Sequence, residues 1–235
     1  KRGRGFGGEK LMKKSKYNVA VVGVGAVGIE MLRCLRQRNF PIGELRVFAR
    51  SERTIEVDSE SYAVKSISPN GFNNIDIALF AGTEGEKGAA VTYAKEAIKR
   101  GAVVIDNGAD FRMDPGVPLV VPEVNAKDLD PIRNWLLEKK HRPEGRGLAS
   151  YKPEGNGLAS FGQSHKGIIA NPNCSTIQLV VALWPIYKKV DIKRVIITTL
   201  QASSGAGRQA VEQLKEETVF IVSSGVNSVH AKTEN

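Results

Sequence analysis

The stretch Asn18-Val-Ala-Val-Val-Gly23-Val-Gly25-Ala-Val-Gly28 and the periodic run behind it constrain this chain more than any other feature. Asn18 to Gly23 is a short apolar run of the kind that forms a buried strand. Ala26 to Arg38 carries helical periodicity and is closed by Asn39 and Pro41. The three glycines therefore join a strand directly to a helix. Glycine permits the tight reversal and lets backbone amides approach an anion at the helix N-terminus. The placement matters more than the G-x-G-x-x-G spacing, because the bare pattern also occurs in turns that serve packing only. In this setting it predicts a dinucleotide-binding turn.

The same rhythm continues downstream. Leu45 to Ala49 reads as a strand, Ile55 to Val57 and Tyr62 to Val64 as a small hairpin, and Asp76 to Phe80 as a strand. Glu86 to Arg100 reads as a helix and Ala102 to Asp106 as a strand. Strands alternating with helices predict an α/β fold with a Rossmann-type parallel sheet. Past residue 166, Ile168 to Ala170 is an apolar strand, followed by a helix from Ser175. Arg194 to Leu200 reads as a β-branched strand, Gly205 to Glu217 as a helix, and Val219 to Val222 as a further strand.

Residues 131–166 break that rhythm. Arg142-Pro-Glu-Gly-Arg-Gly-Leu-Ala-Ser150 is followed by the near-duplicate Lys152-Pro-Glu-Gly-Asn-Gly-Leu-Ala-Ser160. Proline and two glycines in each copy disfavour helix and strand, and two copies are too few for a solenoid. The segment reads as an exposed, flexible insertion preceded by a short helix over Ile132 to Lys139. His141 and His165 read as solvated loop residues. Four parts follow: a basic disordered tail at 1–16, a Rossmann domain at 17–130, the insertion at 131–166, and an incomplete α+β domain at 167–235.

The formal charge of +9 invites a nucleic-acid reading, but its location argues against one. Residues 1–16 carry seven Lys/Arg and one Glu, and residues 131–166 carry seven Lys/Arg and three Glu. The body of the chain is near neutral, so no specific nucleic-acid reading face is expected. No apolar run approaches the ~18 residues of a membrane span. The N-terminus has no apolar signal core, and Met12 is a candidate natural start. Two cysteines make no disulfide framework, and no paired Cys/His spacing suggests a metal site. A cytoplasmic setting is expected.

Four further places carry candidate chemistry. Cys174 follows the turn Asn171-Pro-Asn173, where a strand becomes a helix. The unpaired amides and dipole of a helix N-terminus stabilise a thiolate, which makes Cys174 a candidate nucleophile. The competing reading is a small buried residue at a tight junction. The second strand ends in Ala49-Arg50-Ser51 rather than the acidic residue of many NAD sites. A guanidinium and a hydroxyl suit a ribose 2′-phosphate, so NADP is favoured over NAD; the alternative is a solvated strand-end charge. Arg112, in Asp106-Asn-Gly-Ala-Asp-Phe-Arg112, offers a planar fork for phosphate or carboxylate. Gln201-Ala-Ser-Ser-Gly-Ala-Gly207 is a second glycine-rich entry, suited to a nicotinamide or substrate, or merely a capped helix start.

Together these segments resemble the aspartate-semialdehyde dehydrogenase family. The matching residues are Gly23 to Gly28, Ala49 to Ser51, Ile105 to Val124, Asn171 to Gln178 (Asn-Pro-Asn-Cys-Ser-Thr-Ile-Gln) and Gln201 to Gly207, in the family's order. They cover most of residues 17–130 and 167 to about 218. The resemblance implies NADPH-dependent reductive dephosphorylation of aspartyl 4-phosphate to aspartate 4-semialdehyde, a step in lysine, threonine and methionine biosynthesis. Cys174 would form the thioester and Gln201 would help orient thiol and substrate. Asn173 would lie by the acyl group, and Arg112 would bind the departing phosphate. Gly23, Gly25, Ala26, Val27, Gly28, Arg50, Ser51, Gly82, Thr83, Asn107, Ser204, Gly205 and Gly207 match positions that hold NADP. A homo-oligomer is implied, with residues 167–235 as a partial catalytic and dimerisation domain.

Three features depart from the family pattern. The first glycine loop is one residue shorter than the family's G-x-x-G-x-x-G. The insertion at 131–166 is atypical. The family also extends beyond Asn235, and its general-base His, its substrate-carboxylate Arg and an acidic and lysine helix motif lie in that part. The resemblance therefore predicts a truncated relative of low turnover, and His230 is not assigned as the base. The alternatives are an N-acetyl-glutamyl-phosphate reductase-like enzyme and a non-catalytic relative that binds nucleotide or pairs with another subunit.

Overall fold

The computed structural model describes residues 14–82, 88–140 and 167–224. The expectations for the basic tail up to residue 13, for Thr83, for His141, His165 and His230, and for the near-duplicated repeat fall outside the described residues. Seven strands form one sheet: β1 (Tyr17–Val22), β2 (Ile42–Ala49), β3 (Arg53–Val57), β4 (Glu60–Ser66), β5 (Ile77–Phe80), β6 (Val103–Asp106) and β7 (Ile168–Ala170). Their spatial order is β3-β4-β2-β1-β5-β6-β7. All neighbours run parallel except β3 and β4, which form the expected antiparallel hairpin.

The strand order reverses at β1, and helices cover both faces. Ala20 and Val22 of β1 share a cluster with Phe72, Phe80 and the Ala90, Ala94 and Ala97 stripe of α2 (Ala89–Lys99). Val21 points the other way, into a cluster with Val47, Val64 and Leu32 of α1 (Ala26–Gln37). Burial on both sides is why β1 is continuously apolar instead of alternating. Phe72 anchors the first cluster, its ring centroid 5.6 Å from Phe48 and 6.1 Å from Phe80.

Strand β7 lies beyond the 131–166 stretch in sequence but pairs with β6 in this same sheet, Val104 opposite Ile168 and Asp106 opposite Ala170. Its other edge is held by residues 118–120: the Ala170 N–H donates to the Pro118 carbonyl at 2.9 Å, and the Val120 N–H donates to the Ala170 carbonyl at 3.0 Å. After α3 (Pro122–Asn125), helix α4 (Asp130–Lys140) forms where a short helix is expected. Its buried Trp135 sits over Gly167; a Cβ there would approach the indole to 3.1 Å, and φ is +96°. Helix α5 (Cys174–Tyr187) follows β7 after the Asn-Pro-Asn turn.

The chain divides into two compact units, at 1–196 and 197–235. The second contains a 3-10 turn at Ser203–Ala206 and helix α6 (Arg208–Ser224). Two strand expectations fail here. Arg194 to Leu200 forms no strand; Ile196 and Leu200 are 86% and 101% exposed, and among the described residues no strand pairs with the β-branched run. Val219 to Val222 lies inside α6, because the weak strand bias of a few β-branched residues yields to a helix already propagating. That helix also starts later than Gly205, since Gly207 has φ +96° and interrupts the entry.

Candidate active site

The candidate residues of the first unit gather at the carboxyl ends of the strands. At the end of β1, Gly23 has φ +98°, and its N–H donates to the Phe48 carbonyl of β2 at 2.8 Å. Gly25 is the N-cap of α1, and the first helical hydrogen bond runs from the Ile29 N–H to the Gly25 carbonyl at 3.0 Å. The amides of Ala26, Val27 and Gly28 precede it, on a turn where Gly25, Ala26 and Val27 are exposed. Gly28 is buried, and a Cβ there would stand 1.9 Å from the Gly23 carbonyl oxygen. A cradle closed this tightly needs glycine and leaves helix-terminal amides outward, which fits a pyrophosphate.

Neighbouring loops extend this edge. Gly82, after β5, has φ +83°, and its Cα lies against Gly108 after β6, where a Cβ would meet the Gly108 Cα at 3.5 Å. Ala81 packs beside both Gly23 and Gly28. At the end of β2, Arg50 and Ser51 are exposed, and Arg53 Nη1 donates to Ser51 Oγ at 3.1 Å.

Around Cys174 the contacts are polar and specific. Asn173 is the N-cap of α5, and its Oδ1 accepts from the Ser175 N–H at 2.9 Å. Cys174 is the first helical residue and is exposed, which removes the reading of a small buried residue at a junction. Half-buried Arg112 reaches across from the loop after β6. Its Nε donates to the Asn171 carbonyl at 2.9 Å and its Nη2 to the Asn107 carbonyl at 3.0 Å. The Asn171 side chain also approaches Asn107, Nδ2 to Oδ1 at 3.4 Å.

The remaining candidates belong to the second unit. Gln201, Ser204 and Gly205 are exposed there and Gly207 is partly buried. A Cβ on Gly205 would lie 3.5 Å from Gln201 Nε2, so the glycine lets that amide approach the backbone.

Known proteins resemble this chain over most of its length. Residues 18–132 match the family described as semialdehyde dehydrogenase, NAD binding domain, and residues 183–235 match its dimerisation domain. The aspartate-semialdehyde dehydrogenase of Aquifex aeolicus is 45% identical over 86% of this chain and 51% of its own length. That of Bacillus subtilis is 41% identical over 87% and 50%. The chain belongs to the aspartate-semialdehyde dehydrogenase family. A crystal structure of aspartate semialdehyde dehydrogenase II from Vibrio cholerae, complexed with ASA, superposes with a TM-score of 0.69 at 36% identity. It covers 90% of this chain and 54% of that one. The chain thus spans about half the length of the curated relatives it matches. The dimerisation-domain match runs to Asn235, past residue 218, where the motif resemblance stops.

Within this semialdehyde dehydrogenase fold, one polar residue escaped the sequence reading. Asp106 ends β6 fully buried; its Oδ1 accepts the Gly108 N–H at 3.1 Å, and Oδ2 has no partner among the described residues. Burial pushes its carboxyl above the ordinary Asp range. The Gly108 N–H opposes this, Asp110 adds to it, and Arg112 opposes it. The raised value sets the sign of a pH effect. Below the unfolded value of about 3.9 both states are protonated, and the carboxyl contributes no slope. As pH rises from there the unfolded chain ionises first, so the native state loses stability until the folded carboxyl ionises as well. Urea midpoints of wild type and Asp106→Asn across this range should therefore diverge in favour of the variant with rising pH. A constant difference would show that Asp106 titrates normally.

Proposed function

We propose that this chain acts in the NADPH-dependent reduction of L-aspartyl 4-phosphate to L-aspartate 4-semialdehyde, through a thioester on Cys174. The observation that carries the reading is the exposed thiol at the first residue of α5, set by the Asn173 cap and by the Arg112 bridge to Asn171. The thiolate attacks the acyl carbon, the carbon–oxygen bond to phosphorus breaks, and inorganic phosphate leaves. A thiolate suits both halves of the reaction, because it is a strong nucleophile and later a competent leaving group. NADPH, when bound, would supply the hydride that reduces the thioester, and Cys174 would leave as the thiolate.

The other residues have defined tasks. Arg112 directs its Nε/Nη2 edge at two carbonyls, which leaves the Nη1 end of the guanidinium for the departing phosphate. Asn173, with Oδ1 engaged as a cap, keeps its Nδ2 donor for the substrate. The family resemblance assigns Gln201 to orienting thiol and substrate. Gly23, Gly25, Ala26, Val27, Gly28, Gly82 and Asn107 hold the dinucleotide, the resemblance adding Ser204, Gly205 and Gly207, and exposed Arg50 and Ser51 favour the 2′-phosphate of NADP. The names of the curated relatives support an aspartyl over an N-acetyl-glutamyl substrate. The dimerisation-domain match and the exposed Leu214, Val219 and Phe220 of α6 support pairing with a second copy. No helix among the described residues is long and apolar enough to cross a membrane, and the reading keeps the cytoplasmic setting.

The test omits NADPH. Incubated with L-aspartyl 4-phosphate, the chain should release phosphate and gain a hydroxylamine-labile aspartyl mass on the Cys174 peptide. Phosphate release without an adduct, or an adduct on Cys34 instead, would contradict the thioester route.

A further inference from the structure

Two of the donors of Arg112 are engaged within the protein. They hold main-chain carbonyls from two different strand ends: Asn107, immediately after β6, and Asn171, immediately after β7. The two loops also meet through the Asn171 N–H, which donates to the Asp106 carbonyl at 2.8 Å, and through the long Asn171–Asn107 side-chain contact. From the Asn171 carbonyl the chain runs through buried Pro172 to the Asn173 cap and Cys174. Proline fixes its own φ, and the Asn173 Oδ1 bond to Ser175 fixes the helix entry. Few soft torsions therefore separate the carbonyl that Arg112 grips from the thiol.

We infer that Arg112 is a positioning residue for Cys174: its Nε/Nη2 edge clasps the Asn107 and Asn171 carbonyls and so sets the direction from which α5 presents the thiol. This duty is separate from any contact with phosphate, which would use the opposite end of the guanidinium. It rests on the reading of Cys174 as the reacting thiol, and it explains why the site needs arginine. A lysine carries the same charge but has a single nitrogen, and cannot span two carbonyls with a fixed planar edge.

The experiment reads thiol reactivity, not turnover, so it succeeds or fails independently of the acyl-phosphate test. Cys34 on α1 is exposed in the same compact unit and serves as an internal reference. Limiting iodoacetamide is applied to the full chain, and alkylation of the Cys174 and Cys34 peptides is followed together by mass spectrometry. In Arg112→Lys the ratio of the Cys174 rate to the Cys34 rate should fall about threefold or more, because alkylation depends on how openly the thiol is presented. Arg112→Ala should show the same fall. A wild-type ratio in Arg112→Lys with a reduced ratio in Arg112→Ala would assign the effect to charge and overturn the clamp. Both cysteines accelerating together in either variant would make Arg112 a general structural staple and overturn it as well. If Arg112→Ala does not fold, Arg112→Lys, which keeps the aliphatic stem and the charge, decides alone.

Discussion

Gly28→Ala should destabilise the first unit by about 3 kcal/mol and abolish dinucleotide binding, although an alanine normally improves a helix. Gly28 is the third residue of α1, and in an ordinary helix the exchange gains roughly 0.5–1 kcal/mol. Here the added methyl would sit 1.9 Å from the Gly23 carbonyl oxygen and 2.8 Å from the Gly23 carbonyl carbon. Neither atom is the end of a flexible side chain. Gly23 itself cannot easily give way, because its φ of +98° is poorly accessible to other backbones and its N–H is tied to Phe48. Relief requires α1 to back away from β1, which opens the contact between Leu32 and the Val21, Val47 and Val64 cluster. The same movement shifts the amides that precede the first helical hydrogen bond, so binding and stability fall together. Urea unfolding and an NADP titration measure the two effects. A variant more stable than wild type would mean that this turn is a packing turn of ordinary tolerance.

Much of that turn is legible in the sequence, and the reason is local. A strand, a glycine turn and a helix within residues 18–38 leave few alternatives, and the alternation of β1, α1, β2, β5, α2 and β6 follows from short-range pattern alone. The hairpin of β3 and β4 was legible for the same reason. The errors lie where tertiary context decides. Arg194 to Leu200 has strand composition, but a strand needs a neighbour. Val219 to Val222 has β-branched residues, but a helix already under way absorbs them.

Motif reading reached Arg112 and Cys174 as separate points. It did not find the clamp between them, because the Asn107 and Asn171 acceptors are main-chain carbonyls, and a carbonyl leaves no trace in residue identity. The burial of Asp106 was missed for a related reason. It stands at the junction of an apolar strand with the polar string that follows, and it is buried between β5 and β7, which pair on either side of it. A carboxylate ending an apolar strand is the signal that was available.

Cys174→Ser should slow the acylation half-reaction by about 10³-fold or more while leaving the fold unchanged. The comparison is informative because the two side chains differ so little in size and the site around them is built from the backbone. Asn173 caps α5 through Ser175, not through the thiol, and the Arg112 bridge ends on Asn171. Cys174 is exposed, so urea midpoints of the two proteins should agree within about 0.5 kcal/mol. What changes is the nucleophile. A thiol is intrinsically far more nucleophilic than a hydroxyl. A serine hydroxyl needs a base to become comparable. Phosphate release from L-aspartyl 4-phosphate in a single turnover isolates this step, since it precedes hydride transfer. If the serine variant releases phosphate at the wild-type rate, water or another side chain attacks the acyl group, and the thioester route fails. If release falls as expected, the residual rate measures what the Arg112 fork and the helix dipole contribute to expelling phosphate without the thiol. That residual should drop further in Cys174→Ser/Arg112→Lys, because a loosened α5 entry no longer aims its amides at the leaving group.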